Sequence, residues 1–116
     1  MKQITLVSND ITYTIIIGEN AKENWELIEN SEPDDLWFHV EESSSAHVVV
    51  SQDVKSKSDV NYPDEIIEVA ANLSKQHSKQ KNSKKKVQIV YTKILNLKKG
   101  KAVGSVFVFE PKYICI

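Results

Sequence analysis

Short runs of β-branched and aromatic residues recur along this 116-residue chain, and turn formers close most of them before they reach helical length. Residues 4–7 and 12–17 are the first two, separated by Ser8-Asn9-Asp10, whose Asn and Asp tolerate the positive φ of a tight hairpin. Residues 35–40 and 47–51 read as two more strands, joined by Glu41-Glu42-Ser43-Ser44-Ser45-Ala46. Residues 51–61 are polar and unpatterned, which predicts a loop. Residues 87–92 return to strand, Lys98-Lys99-Gly100-Lys101 reads as a turn with Gly104 close behind, and residues 106–109 and 113–116 are expected to pair across Pro111-Lys112.

Only two stretches carry helical spacing. Asn20 with Glu23 resembles a capping box, and Ala21, Trp25 and Ile28 form one stripe, predicting a short helix over about 21–30 that Pro33 ends. Pro63, Asp64 and Glu65 form a helix start; Ile66, Ile67, Ala70, Ala71, Leu73 and Ser74 then form the packing stripe of a main helix over about 63–80. Lys75 and Lys79 fall on its opposite face. The class is α+β: one domain over 1–116, built on a largely antiparallel sheet of about six to seven strands.

Several function classes are disfavoured at once. No apolar run approaches the roughly 18–20 residues of a membrane span, and the opening Met1-Lys2-Gln3-Ile4 lacks an apolar leader segment. Cys115 is the only cysteine, so no internal disulfide or multi-cysteine zinc site can form, which fits a reducing compartment. Gly18, Gly100 and Gly104 are the only glycines, too few for a glycine-rich phosphate loop. His39, His47 and His77 lack the i, i+4 spacing of a helical metal site, so no metal and no cofactor is expected. Ser43, Ser44 and Ser45 lie near two histidines in sequence but form no nucleophile elbow.

The net charge of −1 hides a segregation. Residues 1–68 hold 15 of the 16 carboxylates and four lysines, a net −11; residues 69–116 hold 11 lysines against Glu110, a net +10. Such asymmetry predicts a polyanionic partner for the basic half, against the plainer reading of a solvated lysine-rich surface. With no arginine in the chain, those contacts would be point-charge and blind to sequence. Lys84, Lys85 and Lys86 precede the 87–92 strand and Lys98, Lys99 and Lys101 follow it, so the two clusters would mark its ends, with Lys75 and Lys79 bridging them. Lys55 and Lys57, in the acidic half, are expected to matter little.

In Leu36-Trp37-Phe38-His39-Val40 the strand period of two puts Trp37 and His39 on one face and Leu36, Phe38 and Val40 on the other. The second set reads as core. Trp37 then either half-covers a sheet surface or joins His39, His47, Ser44 and Ser45 in a polar-aromatic surface for a nucleotide. At least one of the two histidines is expected to be fixed by hydrogen bonds at a surface cleft.

The order Asp35-Leu36-Trp37-Phe38-His39-Val40, then Ser44-Ser45-Ala46-His47-Val48-Val49, resembles the hallmark of the NFACT RNA-binding domain family, often Asp-x-Trp-Phe-His then Gly-Ser-His-Val. Ala70-Ala71, Val90-Tyr91-Thr92, Lys98-Lys99-Gly100 and Gly104-x-Val106 follow in the family's order, so the likeness covers nearly the whole chain. It looks most like the free-standing eukaryotic branch, in which a charged helical tail is expected beyond Ile116. Ser45-Ala46 departs from the Gly-Ser of the larger members. The resemblance implies a non-catalytic RNA-binding module, with transfer RNA or the ribosome as partners, acting in translation quality control in the cytoplasm or nucleus. Two alternatives from other classes stand beside it. One is a protein-interaction adaptor docking through the acidic half; the other is a hydrolase or nuclease using His39 and His47.

Overall fold

Asn9 and Asp10 both take positive φ, 50° and 64°, the backbone of a two-residue hairpin whose twist matches its strands. They join β1 (Lys2–Ser8) to β2 (Ile11–Gly18), antiparallel from Lys2↔Ile17 to Ser8↔Ile11. The computed structural model of the chain describes residues 1–41, 43–53 and 62–116. Four further strands, β3 (Leu36–Val40), β4 (His47–Asp53), β5 (Gln88–Lys93) and, last in the chain, β8 (Lys112–Cys115), complete a six-stranded sheet. Its order is β1-β2-β4-β3-β5-β8 and every pairing is antiparallel. β6 (Leu97–Lys99) and β7 (Val106–Val108) form a separate two-stranded ribbon.

The alternation in β3 divides the core as the sequence predicts. Leu36, Phe38 and Val40 lie on one face with Tyr13, Ile15, Ile17, Val48, Val50 and Ile89, beneath Ile66, Ala70 and Ala71 of α2 (Asp64–Gln76). The two alanines let the helix approach closely, and Phe38 is fully buried. The other face is also covered. Trp37, Val49, Val90 and Ile94 pack there with Leu27 of α1 (Ala21–Glu29) and with Leu97, Val106 and Val108 of the ribbon.

Several boundaries differ from the sequence reading, each for a local reason. α2 stops at Gln76 because Ser78 takes the Lys75 carbonyl, through its N–H at 3.2 Å and its hydroxyl at 2.6 Å. Lys79 is therefore beyond the helix, and Lys75 is not an outward bridge, since its Nζ donates to the Ile116 carbonyl at 3.2 Å. β4 runs on to Asp53, so 51–53 are strand; the remainder of the predicted loop, 54–61 with Lys55 and Lys57, lies outside the described residues. Lys98 and Lys99 are strand rather than turn, and the last two strands do not pair with each other. β7 pairs with β6 and β8 with the edge of β5, because the Thr92 hydroxyl, within 3.0 Å of the Phe109 carbonyl and 3.1 Å of that of Glu110, holds the crossing between them.

On α1 the inward residues are Asn24 and Leu27, with Trp25 and Ile28 half-buried and Ala21 exposed, so the Ala21–Trp25–Ile28 stripe is not the buried face. The polar Asn24 is at home there because its Oδ1 accepts the His47 N–H at 3.3 Å. The capping residue is as expected: Asn20 Oδ1 accepts from Glu23 N–H at 2.9 Å. The Glu23 carboxylate accepts from Glu19 N–H, one residue earlier than a capping box requires.

Candidate nucleic-acid interface

Trp37, His39 and His47 form one aromatic cluster on the ribbon side of the sheet. The His39 ring lies parallel to Trp37, 8° between planes and 5.7 Å between centroids, and His47 meets both edge-on, at 5.3 Å from Trp37 and 5.2 Å from His39. The registers His39↔Val90 and Val90↔Tyr113 extend this into a row across neighbouring strands, His47–His39–Val90–Tyr113.

Trp37 does not sit on a surface. It is 2% exposed, covered by α1 and the ribbon, so it supports the site from beneath instead of stacking on a ligand in the open. His47 is 3% exposed, and His39 is half-buried. The His39 Nδ1–H donates to the Val40 carbonyl, leaving Nε2 as the acceptor of a neutral ring. Burial pushes the His39 pKa below the usual imidazole value despite that bond. Burial, with His39 as a minor cause, lowers His47 to about 3. At neutral pH the pair is uncharged.

Two clefts open on either side of the histidines. The larger, 840 Å³, is polar. It runs between the N-terminus of α1 (Asn20, Ala21, Asn24), Ser44, Ser45, His39 and His47, and the segment Gln76, His77, Ser78, Lys79 and Lys81, with Lys2, Glu19 and Gly104 at its edges. Its wall is a backbone bridge, in which Ala46 N–H donates to the His77 carbonyl at 3.0 Å and Lys79 N–H to that of Ser44 at 3.3 Å. The Ser45 hydroxyl is used structurally, accepting from Val40 N–H at 3.1 Å and donating to its neighbour's carbonyl at 3.0 Å, whereas Ser44 is exposed. The second cleft, 500 Å³, lies beneath the ribbon, lined by Trp37, His39, His47, Glu41, Val90, Val106, Val108, Pro111 and Tyr113 among others. It shares His39, His47 and Gly104 with the first.

The lysines expected from the sequence divide. Lys79 lines the polar cleft; Lys85 and Lys86 line a third one with Glu41, Ser43 and Gln80, and Lys84 is exposed beside them. Lys98 and Lys101 are exposed on the ribbon and the loop after it. Lys99 is engaged by α1: it pairs with the Glu29 carboxylate and lies 5.0 Å over the Trp25 ring. Lys2, Lys81, His77, Asn24 and Tyr113 belong to the clefts, and the sequence reading did not select them for the site. Only Lys81 had a local signal, its place in a basic run; the others arrive through strand register and the helix ends. Among the described residues no group of three or more His, Cys, Asp or Glu side chains is placed to hold a metal ion.

An antiparallel sheet covered on both faces, with an aromatic–histidine row beside a lysine-bearing turn, defines a small α+β domain with a built cleft. The chain belongs to the NFACT protein RNA-binding domain family, whose model matches residues 2–108. It is 41% identical over 91 residues to coiled-coil domain-containing protein 25 of Mus musculus, covering 78% of this chain and 43% of that protein. The homolog in Dictyostelium discoideum is 38% identical over 110 residues, 90% of this chain and 53% of the relative. The chain thus spans about half the length of these relatives. Among solved structures, the C-terminal part of the fibronectin/fibrinogen-binding protein from Streptococcus suis matches 90% of this chain and 41% of its own, with a TM-score of 0.78 at 26% identity. The resemblance to the free-standing branch agrees with these relatives.

Proposed function

We propose that this domain binds RNA without catalysis, through the face on which the two clefts meet at His39 and His47. The observation that carries the reading is the coincidence of family membership with a polar cleft that gathers Lys2, Lys79 and Lys81 beside the aromatic row. Lysines supply sequence-blind affinity for phosphates, and Ser44 and the cleft's backbone groups supply positioning contacts. The finer reading, RNA of the translation apparatus in the cytoplasm or nucleus, with transfer RNA or the ribosome as partner, rests on the family resemblance. Co-sedimentation of the protein with ribosomes before and after nuclease treatment tests it.

The hydrolase alternative gains one observation, the 5.2 Å approach of the two imidazoles. The electrostatics argue the other way. A general base works best with a pKa near the operating pH, and burial holds His47 at about 3. The direct test is fluorescence anisotropy with a labelled single-stranded RNA at 50 and 200 mM salt. Binding that weakens steeply with salt, with the RNA recovered intact, is expected. Salt-independent binding, or cleavage abolished by His39→Ala, overturns the reading.

A further inference from the structure

We propose that the cleft beneath the ribbon takes one unpaired nucleobase, stacked on His39 and flanked by Tyr113, while the adjoining phosphates lie in the polar cleft. This rests on the RNA-binding reading and adds what the second cleft is for.

Three observations converge. The first is the shape of the floor. Trp37 covers one face of the His39 ring in parallel. Glu41, just past the end of β3, lines the same cleft as His39, on the side away from Trp37 along the chain. A flat π system placed there continues the Trp37–His39 stack. The second is the chemistry of the walls. Val90, Val106, Val108 and Pro111 are apolar, no lysine among the described residues lines this cleft, and Glu41 does. A phosphate is repelled by that set, whereas a base face is not.

The third is an orphaned ring nitrogen. His47 Nδ1 is buried without a hydrogen-bond partner among the described residues, although His47 lines the cleft. A buried polar atom without a partner is costly, so a partner is expected. A base edge carries donor and acceptor atoms side by side and can reach the neutral imidazole of His47, which flanks His39 edge-on. In a duplex those edges are stacked and paired, so the ligand is single-stranded or flipped out. The shared boundary at His39, His47 and Gly104 then lets one strand place its base on one side and its phosphate beside Lys79 and Lys81 on the other.

The test compares a single-stranded oligoadenylate with an abasic ribose-phosphate strand of equal length and charge, at one salt concentration. The base-bearing strand is expected to bind roughly tenfold tighter, the gain typical of one base–aromatic contact. Tyr113 is 48% exposed, so its replacement leaves the core intact. Tyr113→Ala should narrow the tenfold difference without altering abasic binding, and Tyr113→Phe should keep it. In nitrogen-15-labelled protein the His47 ring-nitrogen resonances should move with oligoadenylate and stay in place with the abasic strand. Equal affinities with unmoved His47 resonances overturn the base pocket and leave electrostatic RNA binding standing. Failure of both strands to bind at low salt overturns the RNA-binding reading itself. A His47 shift produced by an apolar peptide, and by neither RNA, reassigns the cleft to protein docking.

Discussion

His47 is buried, uncharged and shared by both clefts, and this combination gives the domain a distinctive response to acid. Its folded pKa of about 3 lies well below the ordinary 6.5, so the unfolded chain takes up the extra proton first. Its contribution to stability is whole above pH 6.5 and is lost as pH falls toward 3, at up to about 1.4 kcal/mol per pH unit. His39, also lowered by burial, acts in the same direction. Asp35 opposes them. Burial, helped by Asp34, raises its pKa from 3.8 to about 6, so its contribution is whole below pH 4 and is lost as pH rises through 6. Two outcomes follow. The His47 ring, followed by NMR, should remain neutral until the domain unfolds in acid; a midpoint near 6 would show that the ring is solvated. Asp35→Asn should raise the melting temperature at pH 7.5 and leave it nearly unchanged at pH 4. The amide oxygen can still accept the Glu32 N–H that Asp35 Oδ2 accepts at 2.9 Å, so only the buried charge is removed.

The ribbon, more than any other element, makes the site, and the sequence shows least of it. Strands with local partners were readable: the β1–β2 hairpin follows from Asn9-Asp10, and the His39/Phe38 division follows from the period of two. The β6–β7 pairing was not readable, because its apolar residues are matched to Trp37 and Leu27, dozens of positions away in the chain. For the same reason Trp37 looked like surface: its cover comes from segments that periodicity cannot place. α1 was set on the wrong face because its key inward residue is polar, and only the His47 backbone explains Asn24. Besides the Lys99 contacts, the loop of the ribbon meets α1 at two places. Trp25 Nε1–H donates to the Ser105 carbonyl at 2.9 Å, and Gly104, at φ +87°, passes so close that an added Cβ would lie 2.8 Å from Ala21 Cα. Gly104→Ala therefore meets both an unfavourable backbone region and a backbone clash. It should cost about 1–3 kcal/mol in chemical denaturation and weaken RNA binding by shifting the ribbon. An unchanged midpoint would mean that the ribbon yields freely. Gly18→Ala acts nearby, its Cβ falling 2.5 Å from Asn24 Oδ1, and should loosen the same helix end.

Across the whole molecule, the split between an acidic and a basic half of the chain does not survive folding as two separate regions. The sheet order sets β3, from the acidic half, between β4 and β5, and Lys99 reaches back to Glu29 on α1. A lysine's place in the fold therefore decides its use more than its place in the sequence. Lys75 holds the Ile116 carbonyl and Lys99 holds α1, so the electrostatic track that remains is the exposed turn with Lys79, Lys81, Lys84, Lys85 and Lys86, with Lys98 and Lys101 across the ribbon. If a single strand runs from the polar cleft along that turn, each phosphate contact adds about 0.7 to the slope of log affinity against log salt. The double variant Lys79→Glu with Lys81→Glu, at the mouth of the cleft, should lower RNA affinity more than tenfold near 0.1 M salt and flatten the slope by about 1.4. Lys98→Glu with Lys101→Glu should produce a smaller loss, because Lys98 lies opposite exposed Phe107 on the ribbon and neither lysine lines the two clefts. Lys22→Glu, on exposed α1 beside Glu26, should change neither quantity. Titrations at four salt concentrations separate the cases. Equal losses at all three sites would mean that net charge alone attracts the RNA, and an unaltered slope in the Lys79/Lys81 variant would remove the polar cleft from the path of the strand.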